Sequence, residues 1–593
     1  MSLRTDTTKA ARSLSTRRLA IALAIFTALI PVADTAWSRD GPARTVKPHG
    51  IPARAKKFMV SAANPLAVRA GLEILRAGGS AVDAVIATQM VLNLVEPQSS
   101  GIGGGAFMLH WDAAGAALTT YDGRERAPLA ARPDRFMRPN GKRMRFRKAV
   151  RSGLSVGVPG LVRMLELAHK RHGKLAWARL FEPAIRLARE GFAVSRRLNL
   201  LLTWKGPSAF GQAARRLYFG SGGRARPVGS RLQNPAFADT LEKIAGKGAD
   251  AFYQGPIADA IIARLARAPI APGDMTRADL AAYRAIERPP VCAPYRGYKI
   301  CGMGPPSSGG LTVAQVLALL EPFDLGRKPL GTRALHLIAE AEKLAYADRD
   351  RYMADSDFVS VPSAGLLDPK YLAGRRKLID PDRTMGRAKP GRPPTKAGAI
   401  FGRDATRESS GTSHISIIDG AGNAVSMTTT IESAFGAQMM TGGFLLNNEL
   451  TDFSMDPTDQ AGRAIANRVE PGKRPRSSMA PTIIFTPDGR PWALLGSPGG
   501  TRIILYVVKA IVALIDWKLD AQAAAALENF GSRNGPFEFE IGWMAPKVSV
   551  QMALRRHKTR TRLMTSGLHI IVRRDGFYEG GADPRREGLA LGD

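Results

Sequence analysis

From residue 64 onward, apolar positions first recur every three to four residues and later every second residue. The first rhythm belongs to helices with one buried face, the second to strands. Asn64 and Pro65 open a helix as cap and first-turn residue, positions 66–77 carry the helical spacing, and Gly78-Gly79 ends it. Ser80 caps a second helix, with Asp83 three residues on and Val82, Val85, Ile86, Met90 and Val91 as its buried stripe. Helices are also expected near 161–171, 257–267 and 334–352. Alternation takes over after residue 411: a strand at 414–418, a turn over Asp419-Gly420-Ala421-Gly422-Asn423, and a second strand at 424–431. Residues 482–486 and 492–495 form another hairpin around Pro487-Asp488-Gly489, and 496–500 leads into an apolar helix at 503–515. Helices first and strands later suit a layered sandwich of sheets and helices.

Two stretches escape both rhythms. Residues 39–57, rich in Pro, Arg and Lys, read as a flexible lead, and 375–411, dense in Arg, Lys, Pro and Gly, as a mobile, exposed segment. Residues 290–303 read as a hairpin turning at Arg296-Gly297, which sets Cys292 directly opposite Cys301 on a non-hydrogen-bonded rung. A disulfide is geometrically possible there, and so are two buried thiols.

Composition changes the picture at two points. Hydrophobic residues make up 45% and aromatics 7%, ordinary for a globular chain. Lys+Arg number 85 against 51 Asp+Glu, a formal net charge of +34. Such a surplus attracts polyanions. The basic residues are nevertheless spread along the chain, with short clusters at 143–151, 375–377 and 555–562. No zinc-finger spacing, aromatic RNA-binding signature or basic zipper accompanies them, so no nucleic-acid partner is expected. The first residues read as an export signal, with an uncleaved anchor as the alternative: Arg12, Arg17 and Arg18, an apolar run over 19–33 too short to span a bilayer comfortably, and Ala36-Trp37-Ser38 as a small-x-small cleavage site. Export of 1–38 implies a periplasmic or secreted protein with no stable membrane span, and makes the disulfide chemically plausible.

Among nucleophile systems, H-E-x-x-H and Cys–His signatures are absent. The glycine run 101–105 follows a helix and precedes a strand, the wrong order for a dinucleotide loop, and reads as a close-packed turn. Gly411-Thr412 is more informative, because a linker ends there and a strand begins. If the chain is cut before Thr412, that residue gains a free α-amine beside its own hydroxyl. An amine of this kind titrates near about 8 and can act as the base for the hydroxyl.

The strings GTSHISIIDGAGNAVSMTTTIESAFG, GGFLLNNELTDFS, PRSSMAPTII and GSPGGTRII resemble the small subunit of γ-glutamyltranspeptidases, which are N-terminal-nucleophile hydrolases. NPLAVRAGLEILRAGGSAVDAVIATQMVLNLVEPQSSGIGGG, DGRERAP and PYRGYKICGMGPPSSGGLT resemble the large subunit. The resemblance covers nearly all the chain beyond the signal. It implies a four-layer αββα sandwich, an α/β fold of the layered α+β kind. It also implies autocleavage between Gly411 and Thr412 into a large chain, 39–411, and a small one, 412–593, that stay together as a heterodimer. Thr412 falls on the nucleophile, Thr430 on the threonine that orients it, and Gly499 and Gly500 on the oxyanion-hole glycines. Arg124 falls on the arginine that binds the substrate α-carboxylate, with Ser477 and Ser478 as its partners. Asp452 and Glu449 fall on the ammonium-binding positions, joined by Glu432 where some members carry Asn. The implied donors are glutathione and related γ-glutamyl compounds, the acceptors water, amino acids or peptides. No metal or organic cofactor is implied.

Residues 454–476 look short for the family's lid loop and lack its tyrosine. A more open site is therefore expected, favouring hydrolysis over transfer and leaving room for a glutaryl substrate. The alternative within the fold is a cephalosporin (glutaryl) acylase. The alternative outside it is an uncleaved basic protein that binds polyanions.

Overall fold

A computed structural model describes residues 50–395, 401–406, 408–409 and 411–593. The expected signal, 1–38, lies outside the described residues.

Two antiparallel seven-stranded sheets form the centre. The order in one is Leu589–Gly592, Met59–Ala62, Gly411–Ile418, Ala424–Glu432, Gly105–Asp112, Ala117–Gly123 and Ile286–Arg288. The other runs Ala53–Ala55, Phe577–Ala582, His569–Arg574, Pro491–Gly496, Thr482–Phe485, Tyr298–Gly302 and Val291–Tyr295. Alternation sorts the side chains of the first sheet between two cores. Val60, Ala62, Ala106 and Met108 join helices Pro65–Arg76 and Ala81–Val95. Met59, Phe107 and Leu109 join the second sheet and helices Gly309–Leu320, Thr332–Tyr352 and Ile503–Ile515. Helix, sheet, sheet and helix thus stack in four layers, the layered α+β arrangement expected.

Local rules explain the elements. Asn64 accepts from the Leu66 amide with Pro65 in the first turn, and Ser80 with Asp83 makes a full capping box. The helix Ile503–Ile515 is buried on every side and almost wholly apolar, and its one cation, Lys509, donates to Leu527 O and Asn529 Oδ1. Arg296 and Gly297 both have positive φ, 50° and 83°. That is the primed turn whose twist suits a two-residue hairpin. Cys292 pairs with Cys301 in register and the two form a disulfide, Cα atoms 4.1 Å apart, which settles the alternative left open above.

Two expectations need correction. The lead is not all free of structure: Ala53–Ala55 pairs with Tyr578 to Gly580 at a sheet edge. Nor is 375–411 uniformly exposed. Arg375 is buried against Asp348, Ala388 exchanges hydrogen bonds with the Asn534 side chain, and Glu408 is buried among arginines. Charged and proline-rich sequence read as solvated because its partners lie far away along the chain.

Candidate active site

The strands Gly411–Ile418 and Ala424–Glu432 pair regularly from Ile418 back to Thr412, opposite Thr430. There the register slips: Gly411 faces Glu432, and Ile431 is left over as a bulge. Glu432 sits at φ 73°. The slip brings the Thr430 hydroxyl against the peptide bond ahead of Thr412. Thr430 Oγ1 donates to Gly411 O at 2.7 Å, and Thr412 Oγ1 donates to Thr430 Oγ1 at 3.3 Å. The Glu432 amide holds the same Thr430 oxygen at 2.8 Å. Two hydroxyls and the carbonyl of the peptide bond ahead of Thr412 therefore lie in one chain of hydrogen bonds.

Gly103 and Gly104 explain how this strand is reached. A Cβ on Gly104 would stand 2.1 Å from Thr430 O, and one on Gly103 2.3 Å from Leu445 O. The glycine run is the close-packed turn expected, and it backs Thr430 directly.

One cavity is lined by Arg124, Thr412, Thr430, Glu432, Glu449, Asp452, Ser477, Ser478 and Gly500. Gly499 is not on its wall but precedes Gly500, and these two have φ 145° and 58° at the entry to helix Ile503–Ile515. All of the expected catalytic and substrate-binding residues except Gly499 thus meet at a single place. Arg124 is fully buried and held on four sides. Its Nε donates to Pro475 O at 3.1 Å, Nη1 to Glu449, and Nη2 to Asp452 Oδ2 at 2.7 Å and Arg476 O at 2.9 Å. Burial pushes the carboxyls of Glu449, Asp452 and Glu432 above the ordinary range, and their mutual repulsion adds to it for the first two. Glu449 Oε2 and Asp452 Oδ1 are buried without a hydrogen-bond partner. Three acids against one arginine, with two orphaned oxygens, make a pocket suited to a further cation that carries N–H donors.

Sequence reasoning missed three residues. Glu408 lines the cavity beside Ser409, accepting from Arg349 Nη2 and from Ser478 Oγ, both at 2.5 Å. Burial opposes its charge, but Arg349 and Arg476 outweigh that and hold the carboxyl below its usual range. The Ser409 amide donates to Glu432 Oε1 at 2.6 Å. Glu408 and Ser409 together form one wall of that cavity, next to Thr412 and Ser478. Arg586 is the third, donating from Nη1 to Thr412 O at 2.9 Å. It lies in GGADPRREGLALGD, residues 580–593, which also resembles the family, and could have been singled out there. Conversely, Gly153-Leu154-Ser155-Val156-Gly157 has nucleophile-elbow spacing, but Ser155 sits buried in a 3₁₀ turn and donates to Val150 O and Ser152 O.

The family sequence model for gamma-glutamyltranspeptidase matches residues 67–592. The chain belongs to the gamma-glutamyltranspeptidase family. It is 37% identical to the glutathione hydrolase proenzyme of Escherichia coli K12, over 90% of this chain and 91% of that protein. It is 35% identical to the acylase ACY 1 proenzyme of Pseudomonas sp. SE83, over 91% and 94%. In structure it resembles a cephalosporin acylase from Bacillus halodurans, with a TM-score of 0.81 and 28% identity, covering 95% of this chain and 99% of that one. Membership in a family of enzymes sets aside the reading as a basic binding protein. Among the described residues no helix is long and apolar enough to cross a membrane.

Proposed function

We propose that this gamma-glutamyltranspeptidase family member is a proenzyme that cuts itself between Gly411 and Thr412 and then hydrolyses or transfers γ-glutamyl groups. The observation that carries the reading is the Thr430 hydroxyl, which donates to the Gly411 carbonyl while accepting from Thr412. Thr412 Oγ attacks the Gly411 carbonyl carbon, and its proton passes toward Thr430. The C–N bond breaks, the nitrogen takes up a proton as the new α-amine, and Gly411 is left as an ester on Thr412. Water hydrolyses that ester, freeing the large chain, 39–411, from the small one, 412–593.

In the second phase the same hydroxyl attacks a γ-glutamyl amide, with its own amine as base. The amine leaving group departs with a proton, and water or an acceptor amino acid or peptide takes the acyl group. Arg124, Ser477 and Ser478 serve the substrate's carboxylate end, and Glu432, Glu449 and Asp452 its ammonium. The amides of Gly499 and Gly500, the latter on the cavity wall, would serve the developing oxyanion. Interleaving of strands from both chains supports their lasting association. The Cys292–Cys301 disulfide fits an exported protein.

N-terminal sequencing of the smaller fragment should read Thr-Ser-His-Ile, and Thr412→Ala should stay uncut and inactive. Normal turnover of glutathione by an uncut chain would end the proposal. The acylase relatives favour a second reading, a glutaryl acylase. Comparison of γ-glutamyl and glutaryl anilides decides between them, and faster hydrolysis of the γ-glutamyl compound is expected.

A further inference from the structure

We infer that Arg349, acting with Ser478, is a further substrate-binding residue that grips the free carboxylate of the acyl donor once the Glu408 segment has left. The inference rests on the proposed function and deepens it.

Arg349 is buried on the helix Thr332–Tyr352 and is fixed in place. Its Nε donates to Ser308 Oγ at 2.8 Å and its Nη2 to Ser478 Oγ at 2.6 Å. A carboxylate is already seated on this pair. Glu408 Oε1 lies 2.5 Å from Arg349 Nη2, and Glu408 Oε2 accepts from Ser478 Oγ at 2.5 Å. The Ser409 amide next to it donates to Glu432 Oε1. The segment ahead of the cut therefore offers an anion to Arg349 and Ser478 and an N–H to an acid of the ammonium pocket. A γ-glutamyl group presents the same two features.

Counting donors supports a shared grip. A guanidinium has five N–H bonds. Arg124 commits four of them, to Pro475 O, Glu449, Asp452 and Arg476 O, and so has one left for a substrate carboxylate. A carboxylate accepts well from two donors at once. Departure of Glu408 frees an N–H on Arg349 and the hydroxyl of Ser478 together. It also leaves Arg349 and Arg476 without one of their acidic neighbours, Arg476 Nη2 standing 3.7 Å from Glu408. Buried cations in that condition favour an incoming anion.

The test uses processed two-chain enzyme, wild type and Arg349→Gln, on three anilides. γ-Glutamyl anilide has both charged groups, glutaryl anilide has the carboxylate alone, and 4-aminobutanoyl anilide has the ammonium alone. A lost charge-assisted hydrogen bond corresponds to roughly 10- to 100-fold. KM for the first two should rise by about that factor in Arg349→Gln with kcat little changed, while KM for the third stays as in wild type. An equal change on all three, or none on any, would overturn the inference. If Arg349→Gln does not process, Arg349→Lys keeps the charge without the forked geometry and should give the same split at smaller size. Failure of the underlying proposal would look different, because wild type would turn over none of the three.

Discussion

Thr430 spends its one hydroxyl proton on the Gly411 carbonyl, in the bond proposed to be cut, and its oxygen receives both the Thr412 hydroxyl and the Glu432 amide. Removing that hydroxyl without changing the strand tests its weight. Thr430→Val should slow self-cleavage by about 100-fold or more, the usual cost of one oxyanion donor, while melting stays near wild type. Gel densitometry of the purified precursor over time measures the rate, and cleavage at the normal rate would assign the role elsewhere. Most of these single residues were legible beforehand, because each lies in a string that resembles the family's. Glu408 and Arg349 were not. One sits in sequence that looks solvated, the other on a long helix that looks structural, and only the fold brings the two together.

At the scale of elements, the turn after the strand Gly411–Ile418 does more than reverse the chain. Asp419 accepts from the amides of Ala421 and Asn423 and, across the fold, from the first amide of the helix Ala81–Val95. It is buried, so its loss would strand donors away from water. Asp419→Ala should destabilise the chain by about 2–3 kcal/mol through the lost cap and turn bonds. Urea denaturation of the uncut Thr412→Ala protein, with and without this change, measures it, and an unchanged midpoint would refute the account. Helices and hairpins were readable from period and capping residues. The bulge at Ile431 was not, since a register slip leaves no mark in an alternating pattern whose two faces are both buried. The edge strand Ala53–Ala55 was missed for a related reason: three residues are too few to show a period.

Across the whole molecule, burial acts on histidine. His110, His557 and His569 are each pushed down from 6.5 to about 3, mainly because their surroundings exclude water. Their folded values lie below the unfolded ones, so the unfolded chain binds more protons between the two. The stability that neutral histidines contribute is complete above about pH 6.5 and is lost as pH falls toward about 3. The melting temperature should decline steadily over that window. His110→Phe, which keeps a ring that can stack on His172, should make the decline shallower. An identical slope in this variant would show that His110 takes no part.

The first sheet alternates its origins on either side of residue 411. Leu589–Gly592 lies beside Met59–Ala62, then come Gly411–Ile418 and Ala424–Glu432, then Gly105–Asp112. Under the proposed scission, fingers from the two products are woven through one another, so neither can be lifted out intact. Each mature molecule would keep the partner it was born with. Mixing two preparations with differently labelled halves would yield no hybrids, and a defective half could not be replaced by adding a sound one from outside.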